Sequence, residues 1–122
     1  NPYRIRADRW FGTRTTVMVP LVFTIRAPES GRLAVDWRWK NARNSRSGEP
    51  LAVSLETPEG EPVVREIHIL EAEQPETNGN SFRRTELEIP AEFRGKLLRL
   101  SLPDLKWIEW KLDGLDDPYF YE

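Results

Sequence analysis

Arg32-Leu33-Ala34-Val35-Asp36-Trp37-Arg38-Trp39-Lys40 decides the fold class of this chain. Leu33, Val35, Trp37 and Trp39 alternate with Arg32, Ala34, Asp36, Arg38 and Lys40, which is the two-residue period of a strand with one face in a core and the other in water. Upstream, Val17, Val19, Leu21, Phe23 and Ile25 alternate with Thr16, Met18, Pro20, Val22 and Thr24. That pattern predicts one long strand, or two joined near Pro20, whose missing N–H suits an edge or a bend. Pro28-Glu29-Ser30-Gly31 supplies the turn between the two patterns.

The same signals repeat downstream. Asn41 to Pro50 is a polar loop, followed by a short strand through Leu51, Val53 and Leu55 and a hairpin turn at Thr57-Pro58-Glu59-Gly60. A strand from about Val63 to Leu70, a turn at Asn78-Gly79, and strands over Phe82 to Ile89 and Leu97 to Leu102 follow, the last two separated by Pro90 to Lys96. About eight or nine short strands with almost no helix predict an all-β fold, an antiparallel β-sandwich of jelly-roll type, with a closed barrel as the main rival. Asp116-Asp117-Pro118 reads as the domain's end, with Tyr119, Phe120 and Tyr121 packing back onto it.

Composition narrows the class further. The 122 residues suit a single domain, 1–122, large enough for a core without disulfide or metal staples. With 18 Lys and Arg against 20 Asp and Glu, the net charge of -2 offers no field for nucleic acid or a membrane surface, and neither is expected as a partner. The absence of cysteine removes disulfides, thiolate metal clusters and cysteine nucleophiles. No apolar run reaches the ~18 residues that a membrane-spanning helix needs. The opening Asn1-Pro2 leads to the expectation that the domain is excised from a larger protein.

Lys106-Trp107-Ile108-Glu109-Trp110-Lys111-Leu112 carries the functional lead. As a strand, it sends Ile108, Trp110 and Leu112 inward and leaves Trp107 beside Glu109 and Lys111. As a helix, Leu105, Ile108, Leu112 and Leu115 form the buried stripe, and Trp107 and Trp110 both fall outside it. In either case a large flat ring faces water, where a ligand, a partner or another part of the chain covers it.

Catalytic patterns are lacking. The lone His68 lies in a predicted strand with Glu66 and Leu70 on its side, a setting typical of a structural or surface histidine rather than a general base. There is no nucleophile elbow, no phosphate-binding glycine loop and no histidine pair at metal-ligand spacing. A glycosidase needs only two facing carboxylates, but strands filled by core residues leave little material for a cleft, so no enzyme is expected. Glu71-Ala72-Glu73 and Asp113-Gly114-Leu115-Asp116-Asp117 cluster hard oxygen ligands without matching an EF-hand loop; a structural calcium is the one cofactor they suggest, against the simpler reading of solvated acidic loops.

Arginine outnumbers lysine 14 to 4, which codon bias in a GC-rich genome would explain. Still, Asn41, Arg43, Asn44 and Arg46 concentrate amides and guanidinium groups in one loop next to Trp39, and these groups form paired hydrogen bonds with hydroxyls or carboxylates. The plainer reading is a solvated loop.

Phe23-Thr24-Ile25-Arg26-Ala27-Pro28-Glu29-Ser30-Gly31-Arg32-Leu33-Ala34-Val35 resembles the strand, proline, glycine, strand passage of bacterial jelly-roll carbohydrate-binding modules, and is also similar to pre-peptidase C-terminal β-sandwich domains. Leu112-Asp113-Gly114-Leu115 resembles the closing strand of such modules, and together the two segments cover about a quarter of the chain. The resemblance implies stacking of sugar rings on exposed aromatics. The expectation is thus a non-catalytic module of a secreted or periplasmic bacterial protein, with polysaccharide as ligand and a neighbouring domain in the parent chain. Trp107 is its platform, Trp39, Asn41, Arg43, Asn44 and Arg46 its polar and aromatic surround, and Glu109 and Lys111 flank the ring. The alternative is a structural or protein-interaction domain that docks on a neighbouring domain or subunit.

Overall fold

In the computed structural model, residues 5–12, 21–39, 50–69, 82–103 and 108–121 are described, with Trp39 described by its backbone alone. The alternation at Leu33 to Trp37 is realised in β3 (Arg32–Trp39), where Leu33, Val35 and Trp37 are buried. The ambiguous segment near Trp110 is a strand, β8 (Ile108–Asp113), and it lies antiparallel beside β3 with Val35 opposite Leu112 and Trp37 opposite Trp110. Its inward residues Ile108, Trp110 and Leu112 have almost no exposed surface. A helix would have turned Trp110 outward, away from Trp37; the strand keeps both rings under cover.

Two further strands complete the first sheet. β6 (Arg83–Glu88) pairs with the other edge of β3, setting Leu87 against Leu33 and Thr85 against Val35, and the two-residue β1 (Phe11–Gly12) pairs with β8 through Phe11 and Trp110. The order is β1-β8-β3-β6. The second sheet runs β2-β7-β4-β5 and is built from β2 (Leu21–Arg26), β4 (Pro50–Glu56), β5 (Pro62–Ile69) and β7 (Leu97–Leu102). All pairings are antiparallel.

Alternate residues of both sheets meet in one core. Ile25, Leu51, Val53, Leu55, Leu98, Leu100 and Leu102 of the second sheet join Leu33, Val35, Trp37, Leu87, Ile108, Trp110 and Leu112 of the first. The all-β architecture is therefore sandwich-like, with two antiparallel sheets sharing one apolar filling. The expected strand at Val17 to Ile25 is present from Leu21; residues 13–20 and the turn expected at Asn78-Gly79 lie outside the described residues. A single 3-10 turn, Ala91–Phe93, interrupts the passage from β6 to β7.

The segment after β8 packs back. Phe120 stacks on Phe23 at 4.2 Å between centroids, and Phe11 meets both rings edge-on at 5.2 and 5.4 Å. Backbone bonds from Ala7 N to Pro118 O, Phe120 N to Ile5 O and Tyr121 N to Thr24 O tie the same region down. The Arg6 guanidinium pairs with Asp8 at 2.7 Å and holds its carboxyl below the ordinary carboxylate range. This contribution is present above the unfolded pKa and is lost as pH falls through the lowered one; solvent exposure keeps it small. Gly114 turns the chain after β8 with φ +108, and a Cβ there would lie 2.8 Å from the Arg32 carbonyl oxygen, so only glycine fits so close to β3.

Two substitutions test the core. Trp37→Ala should cost about 3–5 kcal/mol in urea denaturation, as expected for deleting a buried large aromatic; a loss below about 1 kcal/mol would place the ring at the surface. The Thr85 hydroxyl is buried without a hydrogen-bond partner among the described residues. Thr85→Val, which keeps the shape and removes the orphan group, should therefore raise stability by about 1 kcal/mol, and an equal loss would show that the hydroxyl is bonded in solution.

Candidate functional site

The reverse of the first sheet is as patterned as its core face. Across β8, β3 and β6 the outward residues fall into rows: Asp113, Ala34 and Glu86; then Lys111, Asp36 and Arg84; then Glu109 beside Arg38. Opposite charges face each other across strands, which is how a polar sheet face gains stability. The Arg38 Nε donates to Glu109 Oε1 at 3.1 Å. Arg84 grips Asp36 with two hydrogen bonds, 2.7 Å from Nε to Oδ1 and 3.1 Å from an Nη to Oδ2, and that Nη also reaches Asp113 at 3.1 Å.

Asp36 is 0 % exposed although it points away from the core. A bare carboxylate so enclosed would be strongly destabilising, and the paired guanidinium satisfies both of its oxygens. The hydrogen bonds to Asp36 in turn raise the Arg84 pKa above its ordinary value against the opposing effect of burial, so Arg84 carries its charge at all accessible pH.

An aromatic pair sits on this lattice. Trp10, immediately before β1, and Phe82, immediately before β6, meet at 6.0 Å with their planes 64° apart. The Arg38 guanidinium carbon lies 4.1 Å from the Trp10 ring centroid, and the Lys111 ammonium lies 4.8 Å from the Trp10 centroid and 5.2 Å from that of Phe82. These are cation–π distances, so the charges that support the rings also fix them. Trp10 is half-buried, whereas Phe82 is 43 % exposed. Beyond Arg84 the face dips into a cleft of about 480 Å³ lined by Arg32, Ala34, Glu86, Glu88 and Asp113.

The structure brings together some of the residues expected from sequence. Glu109 and Lys111 lie on this face, but the ring that Lys111 supports is Trp10 and the partner of Glu109 is Arg38. Trp107, Asn41, Arg43, Asn44 and Arg46, and the side chain of Trp39, lie outside the described residues. Their segments attach at Trp39 and Ile108, register partners at the end of the sheet where Arg38 and Glu109 stand. Sequence reading missed Trp10, Phe82, Asp36, Arg38 and Arg84 as a group. The available signals were the out-in order of Trp10 and Phe11 and the single acid among the outward residues of β3, and neither shows pairing on its own.

The other sequence-derived candidates serve structural ends. The His68 ring faces inward from β5, 5.5 Å from and edge-on to Trp37. Asp113 accepts from Arg84, Asp116 accepts from the Glu29 backbone N–H at 2.9 Å, and Asp117 accepts from the Tyr121 hydroxyl. Among the described residues no group of three His, Asp or Glu side chains is placed to hold a metal ion; Glu71 and Glu73 lie outside them.

The ion-pair lattice has a measurable consequence. Arg84→Met should cost about 2–3 kcal/mol, less than for a fully buried pair because Arg84 is partly solvated. Replacing Asp36 by Leu in the same chain should recover most of that loss, since the stranded carboxylate disappears with its partner. Additive losses would mean that the pair is not coupled. No protein-family model, no curated protein and no solved structure matches this chain.

Proposed function

We propose that the chain is a non-catalytic, jelly-roll-like β-sandwich module that binds polysaccharide on the outer face of the β1-β8-β3-β6 sheet. The observation that carries the reading is Trp10, an aromatic ring held by Arg38 and Lys111 at cation–π distance beside the exposed ring of Phe82. A sugar ring stacks on a flat apolar face, and its hydroxyls need donors and acceptors held at set positions nearby. Arg84, Asp113, Glu86 and Arg32 offer such groups along the cleft that continues from the aromatic pair. Asp36, Glu109 and Asp113 are engaged by arginines, which suits orienting hydroxyls better than shuttling protons. Trp107 and the Asn41, Arg43, Asn44 and Arg46 loop belong to the same proposal as extensions of the site, as do a secreted or periplasmic location and a neighbouring domain in the parent chain.

A second reading has its own observation. Val22, Ile67 and Ile69 are 56 %, 54 % and 54 % exposed, and the register of β2, β7, β4 and β5 places them with Leu97 on the outer face of the second sheet. A docking domain would use that face. Affinity electrophoresis against cellulose derivatives, xylan, β-glucan, pectin and alginate separates the two. Trp10→Ala should abolish retardation at a stability cost of about 1–2 kcal/mol that leaves the chain folded, with Trp107→Ala as the companion variant. Failure of the unmodified protein to retard on every glycan favours docking.

A further inference from the structure

The charges around Trp10 are paired unequally. Asp36 is the direct cross-strand neighbour of Lys111, yet both of its oxygens are taken by Arg84. Asp113, two residues along the same face of β8, is also held by Arg84, and Glu109 is held by Arg38. Two arginines thus engage three carboxylates. Among the described residues Lys111 has no carboxylate partner; its ammonium rests against Trp10 and Phe82. Aromatic faces orient an ammonium without neutralising it or filling its three N–H donors. At the opposite end of the face Glu86, Glu88 and Asp113 outnumber Arg32 and Arg84 around the cleft, and Arg84 is already engaged by Asp36 and Asp113, so this surface has a cationic aromatic end and an end with an excess of carboxylates.

We propose that the ligand is an acidic polysaccharide containing uronic acid, with a pyranose ring on Trp10 and its carboxylate received by Lys111. This rests on the polysaccharide reading above. Stacking alone does not distinguish a uronate from the corresponding neutral sugar; an ammonium held against both Trp10 and Phe82 does, through a charge-assisted hydrogen bond that the neutral sugar lacks. The acidic cleft end repels a second carboxylate, so the preference is for one charge at a defined position and not for charge density at large.

The test uses the whole chain with oligogalacturonides and oligomannuronates, each beside its carboxyl-reduced, neutral counterpart, in calorimetric titrations at two ionic strengths. At least one acidic oligomer should bind about tenfold more tightly than its reduced form, equivalent to about 1.4 kcal/mol, and the difference should shrink as salt rises. Lys111→Met should remove the preference while keeping the weaker binding of the neutral oligomer. Lys111→Arg should retain the preference, and Lys96→Met, on the turn before β7, should leave it unchanged. Trp10→Ala should lose both ligands. Equal affinity for acidic and reduced oligomers overturns the uronate proposal and leaves polysaccharide binding standing, an outcome that needs no variant to fold. A preference that survives Lys111→Met, or falls equally with Lys96→Met, also overturns it. Binding of neither form overturns the polysaccharide reading and this proposal with it.

Discussion

The register that sets Trp37 opposite Trp110 is the constraint on which both faces of the first sheet depend. Side chains on a strand alternate strictly, so sliding β8 by one residue against β3 would bring Trp37 beside a charged residue and turn the core set of one strand toward water. The cost of exposing large buried rings excludes that slip. The same register then places Lys111 beside Asp36 and Glu109 beside Arg38 on the reverse side. Apolar packing on one face thereby determines electrostatics on the other, and Asp36 can be fully enclosed there because Arg84 arrives from β6 in the matching row.

The relative size of these effects assigns their roles. Burial of the aromatic and aliphatic residues supplies the stabilisation; single cross-strand ion pairs that remain partly solvated add little net energy. Their contribution is positional. Arg38 and Arg84 hold carboxylates and the Trp10 and Phe82 rings in one arrangement, so the outer face has a defined chemical pattern instead of a layer of mobile side chains.

Much of this was legible in the sequence where periodicity is long. Leu33 to Trp37, Leu51 to Leu55 and Leu97 to Leu102 alternate over enough residues to give the strand and its inward face, and Thr57 to Gly60 gives the hairpin turn, closed by a bond from Gly60 N to Thr57 O. The strand at Ile108 to Asp113 was ambiguous because its two tryptophans suit either period; β3 as its neighbour decides. The candidate site was legible only in Glu109 and Lys111. Trp10 precedes a strand of two residues, too short to show any period, and it meets Phe82 from a distant part of the sequence through a sheet order that no local pattern encodes. Loops rich in asparagine and arginine attract attention in a sequence, whereas a site assembled from the polar halves of strands looks like ordinary solvent-facing alternation.

The strand order has a kinetic side. Among the described strands, only β4 and β5 are neighbours both along the chain and in a sheet; every other pairing among them joins strands separated by at least one other element. Such high contact order calls for slow assembly, on the millisecond-to-second scale typical of sandwiches. β8, inserted between β1 and β3, is the strand synthesised last of the eight. Until β8 emerges from the ribosome, β3 keeps an open edge and Trp37 lacks its cross-strand cover, so the earlier strands present an unpaired edge and apolar surface to aggregation.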